Sequence, residues 1–154
     1  MTDQQSIAEK FSDECMLLAG RLEPLSTKQS ILFYTVAKSA SVYVGKILKQ
    51  LAVASGMTPI DWEQYCWEQG SRFWELFASQ ADATNAFKKT GFMFGPYRSL
   101  NFPLEALNSY RVLLLLRDPR DVLVSLYFSM AYSHGMQNEA IRNVILPKRR
   151  RALS

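Results

Sequence analysis

The chain has 154 residues, of which 48% are hydrophobic and 21% are charged. This size and mixture predict one globular domain and exclude a wholly disordered, collagen-like or coiled-coil chain. The net charge of +4 comes from the C-terminal part, since five of the 18 lysine and arginine residues lie between Arg142 and Arg151. We interpret that run as a solvated surface segment. Binding of nucleic acid or of a membrane surface through it is the less favoured alternative.

Three features bear on the compartment and on bound metal. The longest aliphatic run, Val112 to Leu116, is far shorter than the roughly 20 residues of a membrane-spanning helix. Residues Met1 to Lys10 are polar where a secretory leader would be basic and then apolar. Cys15 and Cys66 are far apart and lack CxxC spacing, so neither a disulfide nor a zinc site is expected. We therefore expect a soluble cytoplasmic protein with two reduced thiols and no bound metal.

The first elements in chain order are a helix and a strand. Apolar residues at helical spacing predict an amphipathic helix over Asp3 to Leu18, with Thr2 as its N-cap. Gly20 and Pro24 end that helix. The run Ile31 to Val36 is short, β-branched and aromatic, and it is apolar on both faces. This composition predicts a buried parallel strand.

A second helix follows this strand after a short turn. Its pattern ends at Gly56 and Pro59, and its apolar positions are Val44, Ile47, Leu48 and Leu51. The aromatic-rich segment from Asp61 to Gln80 predicts two more helices that are separated at Gly70. Its aromatic side chains are assigned mainly to core packing, with an acceptor pocket as the alternative.

The last clear unit again joins a strand to a helix. Gly91 to Phe94 predicts a short strand, Phe102 to Leu107 a short helix, and Tyr110 to Leu116 a longer apolar strand. Asp118 is a good N-cap for the helix that follows, and Pro119 suits its first position. A strand, a tight turn and a helix therefore occur twice, which predicts an α/β domain with a parallel sheet.

The first strand-to-helix junction carries groups that suit an anion. Ligands of such sheets bind at the carboxyl ends of the strands, against helix N-termini. Lys38 and the hydroxyls of Ser39 and Ser41 lie where the amides of the following helix also point, as in a phosphate cradle. The glycines of a Walker A loop are missing, and an ordinary capped turn is the alternative.

The second junction carries an arginine and a serine. Arg117 ends the strand, and Ser125 lies about two turns along the helix. An arginine fork at a strand end suits a terminal phosphate. The alternative for Arg117 is an ion pair with Asp118 or Asp121.

Together the two junctions resemble those of the PAPS-dependent sulfotransferase family. Residues 34–43 are similar to the family's loop for the 5′-phosphosulfate of 3′-phosphoadenosine 5′-phosphosulfate (PAPS). Residues 116–127 resemble its 3′-phosphate motif in the arginine-to-serine spacing, the Asp-Pro turn and the aromatic residue after the serine. The order of the two motifs and the interval between them also match.

The resemblance implies a P-loop-like, three-layer α/β domain that transfers a sulfuryl group from PAPS to an acceptor hydroxyl or amine. Lys38 would be the catalytic cation that stabilises charge on the leaving oxygen, and Arg117 with Ser125 would hold the 3′-phosphate. The residues implied to bind the donor are Lys38, Ser39, Ala40, Ser41, Val42, Arg117 and Ser125. No metal is needed in that scheme.

Two departures from the family pattern concern the loop and the general base. The chain has Ala40 where the family usually has glycine, and a methyl group fits there without strain only where φ is negative. The family's catalytic histidine has no counterpart in residues 94–98, and His134 is assigned to a helix end. The base therefore stays open among three candidates, Glu63, Glu68 and Tyr97.

The chain also lacks the family's late glycine-rich and basic segment, which covers the adenosine. We therefore expect residues 1–154 to form a single, incomplete sulfotransferase domain. The alternative function is that of a non-catalytic nucleotide-binding fragment or an interaction module. The sequence specifies neither the acceptor nor the oligomeric state.

Overall fold

The computed structural model describes residues 3–71, 86–98 and 104–129, and the structural statements below concern these residues. The strands are β1 (Ile31–Thr35), β2 (Thr58–Ile60), β3 (Phe92–Tyr97) and β4 (Arg111–Leu115). They form one sheet in the order β2-β3-β1-β4, and each pair of neighbours is parallel. The predicted α/β class with a parallel sheet is confirmed.

In the described ranges five α-helices accompany the sheet. They are α1 (Asp3–Lys10), α2 (Ser12–Leu18), α3 (Ser41–Ala54), α4 (Trp62–Glu68) and α5 (Pro119–Phe128). The single helix predicted up to Leu18 is in fact two, because Phe11 leaves the helical region with φ −118° and ψ 43°. The buried ring of Phe11 packs edge-on against Tyr65, with the ring centroids 5.5 Å apart. Gly20 adopts φ 67° just after α2, where the sequence places the end of the helix.

Hydrophobic side chains pack on both faces of the sheet. Leu32 and Tyr34 of β1 belong to the larger core, which also contains Leu17 of α2 and Trp62 of α4. Phe33 points to the other face and packs in a smaller core with residues of α3. This alternation follows from the two-residue period of a strand. Helices therefore lie on both sides of the sheet, which gives three layers.

Some elements differ from the sequence prediction. β2 was not predicted, because Pro59 marks a helix end in the sequence pattern. The proline is tolerated in this strand because β2 is an edge strand, paired only with β3 in the described sheet. β3 continues to Tyr97, three residues beyond the predicted strand. The predicted helix at Phe102 to Leu107 is a short 3₁₀ helix, Leu104–Ser109.

The structure also confirms the local prediction for the second junction. The Asp118 side chain accepts a hydrogen bond of 2.8 Å from the backbone N–H of Arg120, and Pro119 is the first residue of α5. β4 is the other edge of the described sheet, and its residues Val112 to Leu114 are exposed, whereas Leu115 is partly buried. Residues 72–80, His134 and the basic run up to Arg151 lie outside the described residues. No helix in the described ranges is both long and apolar enough to cross a membrane.

Candidate functional site

The carboxyl ends of the four strands meet at one edge of the sheet, because the strands are parallel. The loop after β1, residues 36–40, lies between the end of β3 and the end of β4. Arg117, after β4, donates a hydrogen bond of 2.8 Å from Nη1 to the carbonyl oxygen of Lys38. Arg98, after β3, donates one of 3.2 Å from Nη2 to Oγ of Ser41. The two predicted junctions are therefore in direct contact.

The loop after β1 has an unusual backbone. Lys38 and Ala40 both have φ 62°, in the left-handed region. The requirement for a negative φ at Ala40 is therefore not met, because the chain turns sharply from β1 into α3. The Ala40 carbonyl accepts hydrogen bonds from the N–H groups of Tyr43 and Val44, at 3.0 and 3.1 Å. Turns that combine right- and left-handed residues are able to point successive N–H groups at one anion.

The N–H groups of Ser41 and Val42, at the start of α3, remain for such an anion, because those of Tyr43 and Val44 bond to Ala40. The initial N–H groups of a helix have no acceptor within the helix, and Ala40 at the N-cap supplies no side-chain acceptor. Val42 lies in this first turn with an exposed side chain. These groups and the positive end of the helix dipole favour a phosphate or sulfate group beside the loop.

The two loop serines have different roles in the structure. The Ser39 hydroxyl is buried, donates a hydrogen bond of 2.7 Å to the Val36 carbonyl and contacts the Thr35 hydroxyl. It stabilises the loop from within. Ser41 is also buried, and its hydroxyl accepts the hydrogen bond from Arg98. The Ser41 side chain therefore connects the start of α3 with the end of β3.

Lys38 extends toward the second motif. Its Nζ donates a hydrogen bond to Oγ of Ser129, which caps the C-terminal end of α5. Ser125 lies one turn earlier on the same helix. Ser129 was not predicted as a site residue, although its spacing of four residues from Ser125 puts both side chains on one helix face. The hydrogen bond from Lys38 to Ser129 thus joins the loop to the end of the helix on which Ser125 lies.

Arg117 also forms an ion pair with Asp121, one of the two partners expected for it as the alternative to anion binding. Its Nε lies 3.5 Å from Oδ2 of Asp121, and both side chains are exposed. Such a pair contributes about 0–1 kcal/mol, so a phosphate dianion is able to compete for the guanidinium. The ion pair and a role in anion binding are therefore compatible.

The three candidate bases differ in their burial and in their hydrogen-bond partners. Tyr97 is buried, and burial raises its pKa well above the ordinary value, so it keeps its proton. Glu68 pairs with Lys10, and hydrogen bonds from Lys10 and Gln64 lower its pKa. Glu63 accepts hydrogen bonds from the backbone N–H and from Nη1 of Arg98. Through Arg98, Glu63 is thereby connected to Ser41 at the start of α3.

The site at this edge of the sheet contains arginine side chains and the first amides of a helix, which suit an anion. In the described part of the chain, His, Cys, Asp and Glu side chains form no group of three or more that could hold a metal ion. Both cysteines are free, and Cys66 is buried.

Comparisons of the chain with protein-family models, with curated proteins and with solved structures found no match.

Proposed function

We propose that the chain is a sulfotransferase domain that uses PAPS as sulfuryl donor. The observation that carries the proposal is the hydrogen bond from Arg117 to the Lys38 carbonyl, which joins two motifs 79 residues apart. A ligand with a phosphate at each end of one ribose needs two cationic sites that are neighbours. The loop of Lys38 would receive the 5′ end of the donor, and Arg117 with Ser125 the 3′-phosphate.

The proposed step is the transfer of one sulfuryl group. The acceptor oxygen forms a bond to sulfur, and the bond between sulfur and the 5′-phosphate oxygen breaks with its electron pair on that oxygen. The ammonium group of Lys38 and the amides of α3 would stabilise the negative charge that develops there. Catalysis of such a loose transfer depends mainly on positioning and on charge stabilisation.

A non-catalytic nucleotide-binding module is the second candidate. The hydrogen bond between Lys38 Nζ and Ser129 favours it, because this bond must break before the ammonium group contacts a leaving oxygen. Both candidates require binding of the nucleotide. They differ in whether PAPS is turned over.

Thermal unfolding with 3′-phosphoadenosine 5′-phosphate (PAP), the product nucleotide, tests both candidates. At a PAP concentration about 100 times Kd we expect stabilisation by about 2.7 kcal/mol, or roughly 5–10 °C in Tm for a chain of this size. ATP and adenosine 5′-phosphate lack the 3′-phosphate and should give much smaller shifts. Lys38→Ala and Arg117→Ala should each abolish the shift, measured against the Tm of the same variant without ligand.

Arg120→Ala is the matched control for Arg117→Ala. Arg120 lies in the same turn, but its side chain is 92% exposed and contacts Asp118. This variant should keep the full PAP shift. Equal shifts with PAP and adenosine 5′-phosphate in the wild-type protein would refute the assignment of a 3′-phosphate site.

A further inference from the structure

A cavity of about 670 Å³ adjoins the start of α3 and the end of β3, whereas Arg117 follows β4 on the other side of β1. It lies between the first turns of α3, the start of α4 and the end of β3. Ser41 and Val42 line it and also belong to the proposed donor site. A molecule in this cavity would therefore lie next to a group held at the start of α3.

Four of the charged side chains of the cavity form two hydrogen-bonded pairs. Glu63 accepts a hydrogen bond of 2.7 Å from Nη1 of Arg98, and Nη2 of the same guanidinium donates to Ser41. In the second pair Lys49 donates a hydrogen bond of 2.6 Å to Asp61, the N-cap of α4. These contacts orient the Glu63 carboxylate, and each of its oxygens retains a free lone pair after one hydrogen bond from Arg98.

The environment of Glu63 suits proton transfer. Its side chain is 18% exposed. Burial raises its pKa above the ordinary value, although the hydrogen bonds and charge of Arg98 act in the opposite direction. A carboxylate with a raised pKa is a better proton acceptor than an ordinary glutamate.

The remaining walls indicate the kind of molecule that fits. Trp67 lines the cavity and is 56% exposed, and Val42 and Pro96 add apolar surface. The cavity is lined by three cationic side chains, Lys46, Lys49 and Arg98, and by two carboxylates, Asp61 and Glu63. The surplus positive charge disfavours an ammonium group, and the indole face favours a planar apolar body.

We propose that this cavity binds the sulfuryl acceptor, that the acceptor is an aromatic hydroxyl compound, and that Glu63 is the catalytic base. The inference rests on the proposed function. The acceptor oxygen attacks sulfur while its proton moves to a carboxylate oxygen of Glu63. The 5′-phosphate oxygen leaves with the electron pair of the broken bond, so that charge and atoms balance.

Transfer from sulfate-labelled PAPS to 2-naphthol tests the inference. Glu63→Gln keeps the size and one of the two hydrogen-bond acceptors for Arg98 but removes the base, and we expect kcat to fall by about 10²-fold or more. Glu68→Gln is the matched control, since Glu68 lies on the same helix but pairs with Lys10. Its kcat should stay within about twofold of the wild-type value, whereas loss of a base is a 10²-fold effect or larger. Trp67→Ala should raise KM for 2-naphthol by about tenfold, as expected for loss of one aromatic contact, and leave KM for PAPS unchanged.

The PAP-induced shift in Tm separates failure of this inference from failure of the proposed function. Absence of that shift in the wild-type protein would refute the proposed function. A normal shift without transfer to 2-naphthol would overturn the acceptor assignment. A normal shift with unchanged kcat in Glu63→Gln would overturn the role of Glu63, as would loss of the shift in that variant. An unchanged KM for 2-naphthol in Trp67→Ala would exclude the cavity as the acceptor site.

Discussion

Replacing Ala40 with glycine should stabilise the protein, because this residue has φ 62° and ψ 25° at the N-cap of α3. A left-handed conformation costs a residue with a Cβ atom about 1–2 kcal/mol, and it costs glycine almost nothing. Glycine in turn gives the unfolded chain extra freedom, which costs about 0.4–1 kcal/mol. The free energy of unfolding should therefore rise by about 0.5–1 kcal/mol.

Thermal unfolding measures this change. For a chain of this length, 1 kcal/mol corresponds to about 2–4 °C in Tm, so the Ala40→Gly variant should melt roughly 1–4 °C higher. Ala37→Gly is the matched control in the same loop. Lys38 and Ala40 are the two non-glycine residues with positive φ in the described ranges, so Ala37 is free of this strain. Its replacement should lower the free energy of unfolding by about 0.4–1 kcal/mol.

The opposite signs of the two changes make the comparison decisive. If Ala40→Gly lowers Tm by as much as Ala37→Gly, Ala40 does not adopt the left-handed conformation. The loop would then lack the geometry that points its amides toward an anion, and the proposed donor site would lose that support.

Two further predictions concern a close approach and a buried acid. Gly95→Ala should cost about 2–4 kcal/mol, because Gly95 has φ 119° and a Cβ there would lie 2.5 Å from the Phe33 carbonyl oxygen. Gly56 is the control, since it has φ 74° and nothing lies within 4 Å of an added Cβ, so Gly56→Ala should lower the free energy of unfolding by only about 1 kcal/mol. Equal losses of Tm in the two variants would contradict the close approach at Gly95. Burial raises the pKa of Glu14, so the folded state binds the proton more tightly, and the free energy of unfolding should fall as pH rises from about 4.5 to the raised pKa. Glu14→Gln retains an acceptor for the Asp61 N–H and should match the wild-type Tm at pH 4 and exceed it at pH 7; parallel pH profiles would refute this.

Much of the local structure was predictable from the sequence. The two strand-turn-helix units and the start of α5 at Asp118 and Pro119 depend on residues close together in the chain, and these predictions are confirmed. β2 was missed because three residues that include Pro59 give no periodic signal. The break at Phe11 was missed because the core contact with Tyr65, not the local sequence, turns this residue out of the helix.

What the sequence by itself determined is the chemistry present at each strand end, namely Lys38 at one junction and Arg117 at the other. Only the tertiary structure decided which ends are neighbours. The pairing of β1 with β4 brings Arg117 to the Lys38 carbonyl, and the pairing of β1 with β3 brings Arg98, and with it Glu63, to Ser41. The physical reason is the sequence separation of the residues that interact. Caps and turns form within a few residues, whereas strand order depends on burying apolar faces contributed by distant segments.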